Sequence, residues 1–163
     1  MRRVALVCLL VCLLTLSGCG SNQTQEHALE RMEAYAEAVD YSYKEPEKIY
    51  AFLCQEFRDQ MDEETFCEAF AKERTYPYIT PLYISKPEIT LSEDGLSGTA
   101  VYVQAARLIG MTYEVPFVYE NGDYYVKDWE EFLDGSYLEK FEDVPYSLDW
   151  YYSEDVHQTE SDD

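Results

Sequence analysis

The chain has 163 residues, 33 of them Asp or Glu against 12 Lys or Arg, for a formal net charge of −21. A surface this acidic repels nucleic acid, whose affinity comes largely from cationic contacts to phosphate, and it resists adsorption to anionic lipid. The 16 tyrosines, 7 phenylalanines and 2 tryptophans provide area for a core, which excludes general disorder, and the length suits one domain.

In chain order, Met1-Arg2-Arg3 precedes an almost wholly apolar run that begins at Val4 and ends at Leu16-Ser17. Positive charge, apolar run and small residues form the three-part pattern of a secretory signal, here residues 1–18. The run falls short of the about 20 residues that a bilayer span needs. Its end, Leu16-Ser17-Gly18-Cys19, resembles the lipobox of bacterial lipoproteins. The resemblance implies a diacylglyceryl group in thioether linkage at Cys19 and cleavage between Gly18 and Cys19. The membrane is then a partner through the lipid anchor, and the domain lies outside the cytoplasm. An ordinary signal peptide with a chance cysteine is the alternative. Residues 19–25 are small and polar and read as a short tether. Cys8 and Cys12 leave with the signal.

The domain is expected over residues 26–152. Ala28, Leu29, Met32, Tyr35, Ala36 and Val39 recur at helical spacing between Glu26 and Asp40. A second helix is predicted from Pro46, a first-turn residue, with Ile49, Tyr50, Leu53, Cys54 and Phe57 on one face. Asp62 caps a third, with Glu63 and Glu64 in its first turn and Phe66, Cys67, Ala69 and Phe70 inward. Pro77 and Pro81 impose an extended path on residues 75–81. From Leu82 the period becomes two. A strand to Leu91, a turn at Glu93-Asp94-Gly95, a long strand from Gly98 to Ile109 and a turn at Gly110 follow. Met111, Tyr113, Val115, Phe117 and Tyr119 then alternate with Thr112, Glu114, Pro116, Val118 and Glu120 up to Asn121-Gly122, a strong hairpin signal, and Tyr124 to Trp129 closes an antiparallel meander. A short helix between Glu130 and Phe141 is broken at Asp134-Gly135, and residues 144–152 are aromatic enough to dock. Residues 153–163 read as a disordered acidic tail.

Helices first and a curved meander after them give an α+β fold class. This order, with the stretch from Phe117 through Asn121-Gly122 to Trp129, resembles the NTF2-like (cystatin-like) cone. It is similar also to the NTF2-like N-terminal domain of some penicillin-binding proteins. The resemblance implies N-terminal helices packed on a curved sheet whose concave face forms a pocket.

Cys54 and Cys67 are the thiols that remain beside Cys19. Outside the cytoplasm they are a disulfide candidate, closing a loop of about 14 residues for roughly 3 kcal/mol. Two buried free thiols are the other reading. Only His27 and His157 are available as imidazole bases, and both lie near the ends of the chain. Spaced Cys and His ligands for zinc, a calcium loop and a phosphate-cradling glycine loop are absent from the sequence, so no cofactor or metal is expected. Ligand-binding candidates are Tyr76, Tyr78 and Tyr83 on the proline-stiffened segment and Asp128 and Trp129 at the end of the last strand. Asp128 reads first as a strand-end residue and second as a carboxylate among tyrosines. The function these features predict is a non-catalytic module binding an envelope protein, glycan or small molecule. The alternatives are an NTF2-like enzyme with an Asp/Tyr pocket, or a structural spacer for another envelope protein.

Overall fold

The computed structural model describes residues 23–77, 86–104, 110–144 and 146–148. The signal, Cys19, Tyr78, Tyr83, His157 and the acidic tail lie outside these residues. Helix α1 is Gln25–Tyr41, two single turns α2 and α3 are Glu47–Tyr50 and Gln55–Arg58, and α4 is Glu63–Glu73. Strands β1 (Glu88–Leu91), β2 (Ser97–Val103), β3 (Thr112–Glu120) and β4 (Asp123–Val126) form one antiparallel sheet in the order β1-β2-β3-β4. Helix α5 (Glu131–Asp134) and a 3₁₀ helix (Ser136–Phe141) follow. The architecture is α+β with an open sheet.

Local signals set most of these boundaries. The Thr24 hydroxyl accepts from His27 N at the start of α1, and Asp62 accepts from Thr65 N at the start of α4. Asn121 and Gly122 both have positive φ, 52° and 93°, so the β3–β4 turn carries the twist a two-residue hairpin needs. Gly135, at φ 80°, ends α5 and begins the 3₁₀ helix.

Four elements differ from the expectation: β1 begins at Glu88, after Pro87, β2 ends at Val103 rather than Ile109, and the second helix and the last strand change as follows. The second helix is broken into α2 and α3, because the chain between them pairs with the sheet: Val126 N donates to Phe52 O at 2.8 Å and Cys54 N to Val126 O at 3.0 Å. Leu53 thereby makes a parallel bridge to Val126 and covers the β4 edge. The last strand stops at Val126 rather than Trp129, which has φ 64°. A left-handed residue cannot continue a strand.

The core lies between α1 and one sheet face. Ala28, Met32, Tyr35 and Val39 of α1 meet Ala100 and Tyr102 of β2, Val115 and Phe117 of β3, and Tyr124 and Val126 of β4. An aromatic cluster extends it under α4: the Phe66 ring packs against those of Tyr50, Phe57, Phe70, Trp129 and Phe132 at centroid distances of 5.5 to 6.4 Å. Gly98 is obligatory on β2, since a Cβ there would lie 2.4 Å from Phe117 Cζ and 2.5 Å from the Thr90 carbonyl oxygen. Within the C-terminal aromatic segment, Leu148 N donates to Thr75 O at 2.7 Å. Lys140 pairs with the buried Glu73 and so ties the 3₁₀ helix to α4.

Candidate functional site

β4 and the turn after it deliver Asp128 to the inner face of the sheet. The residue is half-buried, but its carboxylate is enclosed. Tyr35 of α1 donates its hydroxyl to Oδ2, and Tyr113 of β3 donates to Oδ1 at 2.6 Å. The Trp129 backbone N–H also reaches Oδ1, at 2.9 Å, while its indole Nε1–H donates to the Tyr35 hydroxyl at 3.0 Å. Trp129 is therefore held at both ends, and these bonds fix its left-handed backbone. No cation touches the carboxylate among the described residues. Loss of water pushes the Asp128 pKa up, against the three hydrogen bonds that favour the ionised form. Burial, followed by the nearby Asp128 charge, raises the tyrosine hydroxyls at positions 35, 102 and 113. All three stay protonated and act as donors, with Tyr102 bonding to Met32 O at 2.9 Å.

Chemically, this is a carboxylate that its own protein holds with three hydrogen bonds, two on Oδ1 and one on Oδ2. The pocket beside it is about 50 Å³, lined by Cys54, Phe57, Gln60 and Lys127 among others. It has room for a few waters and none for an organic substrate.

Gln104 offers different chemistry. It follows β2 on the same inner face as Ala100 and Tyr102, is 9 % exposed, and its Oε1 is buried without a hydrogen-bond partner among the described residues. The residue sits at the β2–β3 turn, where Gln104 N donates to Met111 O at 2.9 Å. An unpaired buried acceptor costs about 1–3 kcal/mol, so this closed-off carbonyl is a point of unmet hydrogen bonding within the fold.

The remaining sequence candidates scatter. The Tyr76 ring packs on Phe141 at 5.1 Å and lies under Lys140 Nζ, so it serves the docking of the 3₁₀ helix. Trp129 is a core residue, 5 % exposed. Cys54 and Cys67 are free thiols in this structure. Cys54 lies in the stretch that pairs with β4 rather than on a helix facing α4. Burial, with Glu47 and Glu63 nearby, pushes the Cys67 thiol up.

Sequence reading missed two clusters. His27 Nε2 lies 2.9 Å from Asp123 Oδ1, and Arg31 Nε lies 3.2 Å from Asp123 Oδ2 while donating to Tyr124 O at 3.0 Å. The Arg31 guanidinium stacks 4.1 Å from the Phe52 ring centroid, sealing the β4 edge. A cleft of about 270 Å³ between α1 and the start of β1 is lined by Glu33, Ala36, Glu37, Asp40, Tyr41, Lys86 and Pro87, and Lys86 pairs with Glu33 across it at 2.8 Å. The His27 pairing was signalled only by the Asx residue after Asn121-Gly122, and the cleft had no local signal.

Among the described residues, no cluster of His, Cys, Asp or Glu is arranged to hold a metal ion, and no helix is long and apolar enough to cross a membrane. Comparison with family models, with curated proteins and with solved structures finds no match to the chain in any of the three.

Proposed function

We propose that this chain is an extracytoplasmic lipoprotein, anchored to the cell membrane through Cys19, whose NTF2-like domain is a non-catalytic binding module of the cell envelope. The anchor rests on the apolar run from Val4 and the lipobox at Leu16-Ser17-Gly18-Cys19. The NTF2-like assignment is supported by the order of elements, by α1 against one sheet face, and by the β3–β4 hairpin leading to Trp129. The observation that carries the binding role is Gln104 Oε1, a buried acceptor with no protein partner among the described residues. It lies on the sheet face that an NTF2-like cone turns toward its ligand. A small molecule, glycan or peptide that presents an N–H or O–H donor would reach it once the β2–β3 turn opens, because Oε1 is closed to solvent here.

A second reading, an enzyme using Asp128 with Tyr35 or Tyr113, has one observation in its favour: an enclosed carboxylate with a raised pKa bonded to two tyrosines. The three hydrogen bonds that the protein itself makes to the carboxylate, and the small adjoining pocket, weigh against it.

Crosslinking in living cells, followed by identification of the adducts, separates the readings. Wild type and Asp128→Asn should capture the same specific partner, and Gln104→Met should capture it at least severalfold less. Equal capture by Gln104→Met, or no specific adduct from wild type, would reject the binding role. A substrate turned over by wild type and not by folded Asp128→Asn would establish the enzyme instead.

A further inference from the structure

The start of the described chain is clamped to one end of the sheet. A Cβ built on Gly95, in the β1–β2 turn, would lie 3.2 Å from Gln23 Cβ, so Gln23 packs on that turn. Gln25 Nε2 donates to Ile89 O at 2.6 Å, and His27 pairs with Asp123 at the β3–β4 turn. The β1–β2 turn is itself rigid. Asp94 accepts from Ser92 Oγ at 2.7 Å and from Leu96 N at 3.0 Å, Leu96 O accepts from Tyr119 N at 2.9 Å, and Gly95 O accepts from the Tyr124 hydroxyl at 2.9 Å. Leu96, 47 % exposed, projects at this end.

Strand register places both hairpin turns together, because Ser97 pairs with Val118 and Glu120 with Asp123. Gln104, Gly110 and Met111 lie at the opposite end. Seven residues of β2 span about 23 Å, and the 17 residues of α1 about 25 Å. Between Cys19 and Gln23 the chain advances four residues, which reach at most about 14 Å. An inverted domain would lift Gln23 further from the lipid than that reach allows.

We propose that the domain stands on the membrane with the β1–β2 and β3–β4 turns toward the lipid surface and the Gln104 end toward the exterior. The inference rests on the lipid anchor at Cys19 and adds to it the surface that meets the membrane. The lipid-facing end carries Glu93, Asp94 and Glu120, so it is held by the tether and not by attraction to anionic headgroups. The same placement leaves the Gln104 end open to an envelope partner.

Paramagnetic relaxation tests this on the mature, lipidated protein in phosphatidylethanolamine–phosphatidylglycerol nanodiscs doped with a nitroxide-headgroup lipid. Intact mass of the same sample reports the anchor. With the diacylglyceryl group present, amide signals of residues 93–96 and 121–122 should broaden at least threefold more than those of Gly110 and Met111. Equal broadening at the two ends, or stronger broadening at Gly110 and Met111, would overturn the orientation while leaving the anchor intact. A mass without the lipid would overturn the anchor, and the orientation with it. Insertion of 20 Gly/Ser residues between Ser21 and Asn22 should abolish the difference between the ends, and persistence of the difference would overturn the tether as its cause.

Discussion

Asp123 and Asp128 lie five positions apart, one at the start of β4 and one just beyond its end, and they meet opposite surroundings. Asp123 is about a third exposed and paired with the Arg31 guanidinium and the His27 imidazole. Asp128 has its carboxylate enclosed and is served only by neutral donors, the hydroxyls of Tyr35 and Tyr113 and the Trp129 N–H. In a chain with 33 acids, proximity to tyrosine says little about any one of them. What distinguishes Asp128 is that three elements converge on it. The pair shows how a strand end in this fold sorts its acids: outward into screened ion pairs, inward into a structural network.

Substitution of Asp128 should have the largest effect on stability. Asp128→Ala leaves two tyrosine hydroxyls and the Trp129 N–H without their acceptor, at about 1–3 kcal/mol for each group that stays dry. A loss of about 3 kcal/mol or more is expected in urea unfolding, and a loss under 1 kcal/mol would mean that the network contributes little to the fold. Tyr35→Phe should cost about 1–2 kcal/mol, since it removes a donor to Asp128 and the acceptor of the Trp129 indole. A red shift or broadening of Trp129 fluorescence should accompany it, and an unchanged spectrum would contradict the bond.

A pH series sharpens the contrast. Because the folded Asp128 pKa is raised, the native state holds this proton more tightly than the unfolded chain. The resulting stabilisation is complete below the unfolded carboxylate value and is lost as pH rises through the folded value. Asp128→Asn lacks the titration. The stability of wild type minus that of Asp128→Asn should therefore fall as pH rises above about 4. The difference removes the opposite slopes of Asp62, Asp94 and Asp134, whose backbone hydrogen bonds hold their pKa values down. A difference that rises with pH would show that the hydrogen bonds outweigh the loss of water. Asp123→Ala should change stability least, by about 1 kcal/mol or less, and only at low salt. A loss that persists in high salt would mean that Asp123 also belongs to the core network.

The sequence carried the parts of the fold that are written locally. Helix α1 follows from six apolar residues at helical spacing, α4 from the Asp62 cap, and the β3–β4 hairpin from Asn121-Gly122. The parts that failed are non-local. The predicted second helix breaks at Phe52–Cys54 because β4, more than 70 residues later, takes those backbone groups. Tyr35 and Asp128 are 93 positions apart, and no spacing rule joins them. Gln104 was invisible for the same reason, since an unpaired acceptor can be recognised only after every neighbour is placed.

Mass spectrometry of the N-terminal peptide recovered from the membrane fraction decides whether the chain is anchored. A peptide that begins at Cys19 and carries a diacylglyceryl group on its sulfur is expected. Recovery of the chain from the cytosol, unmodified and with residues 1–18 still attached, would contradict it.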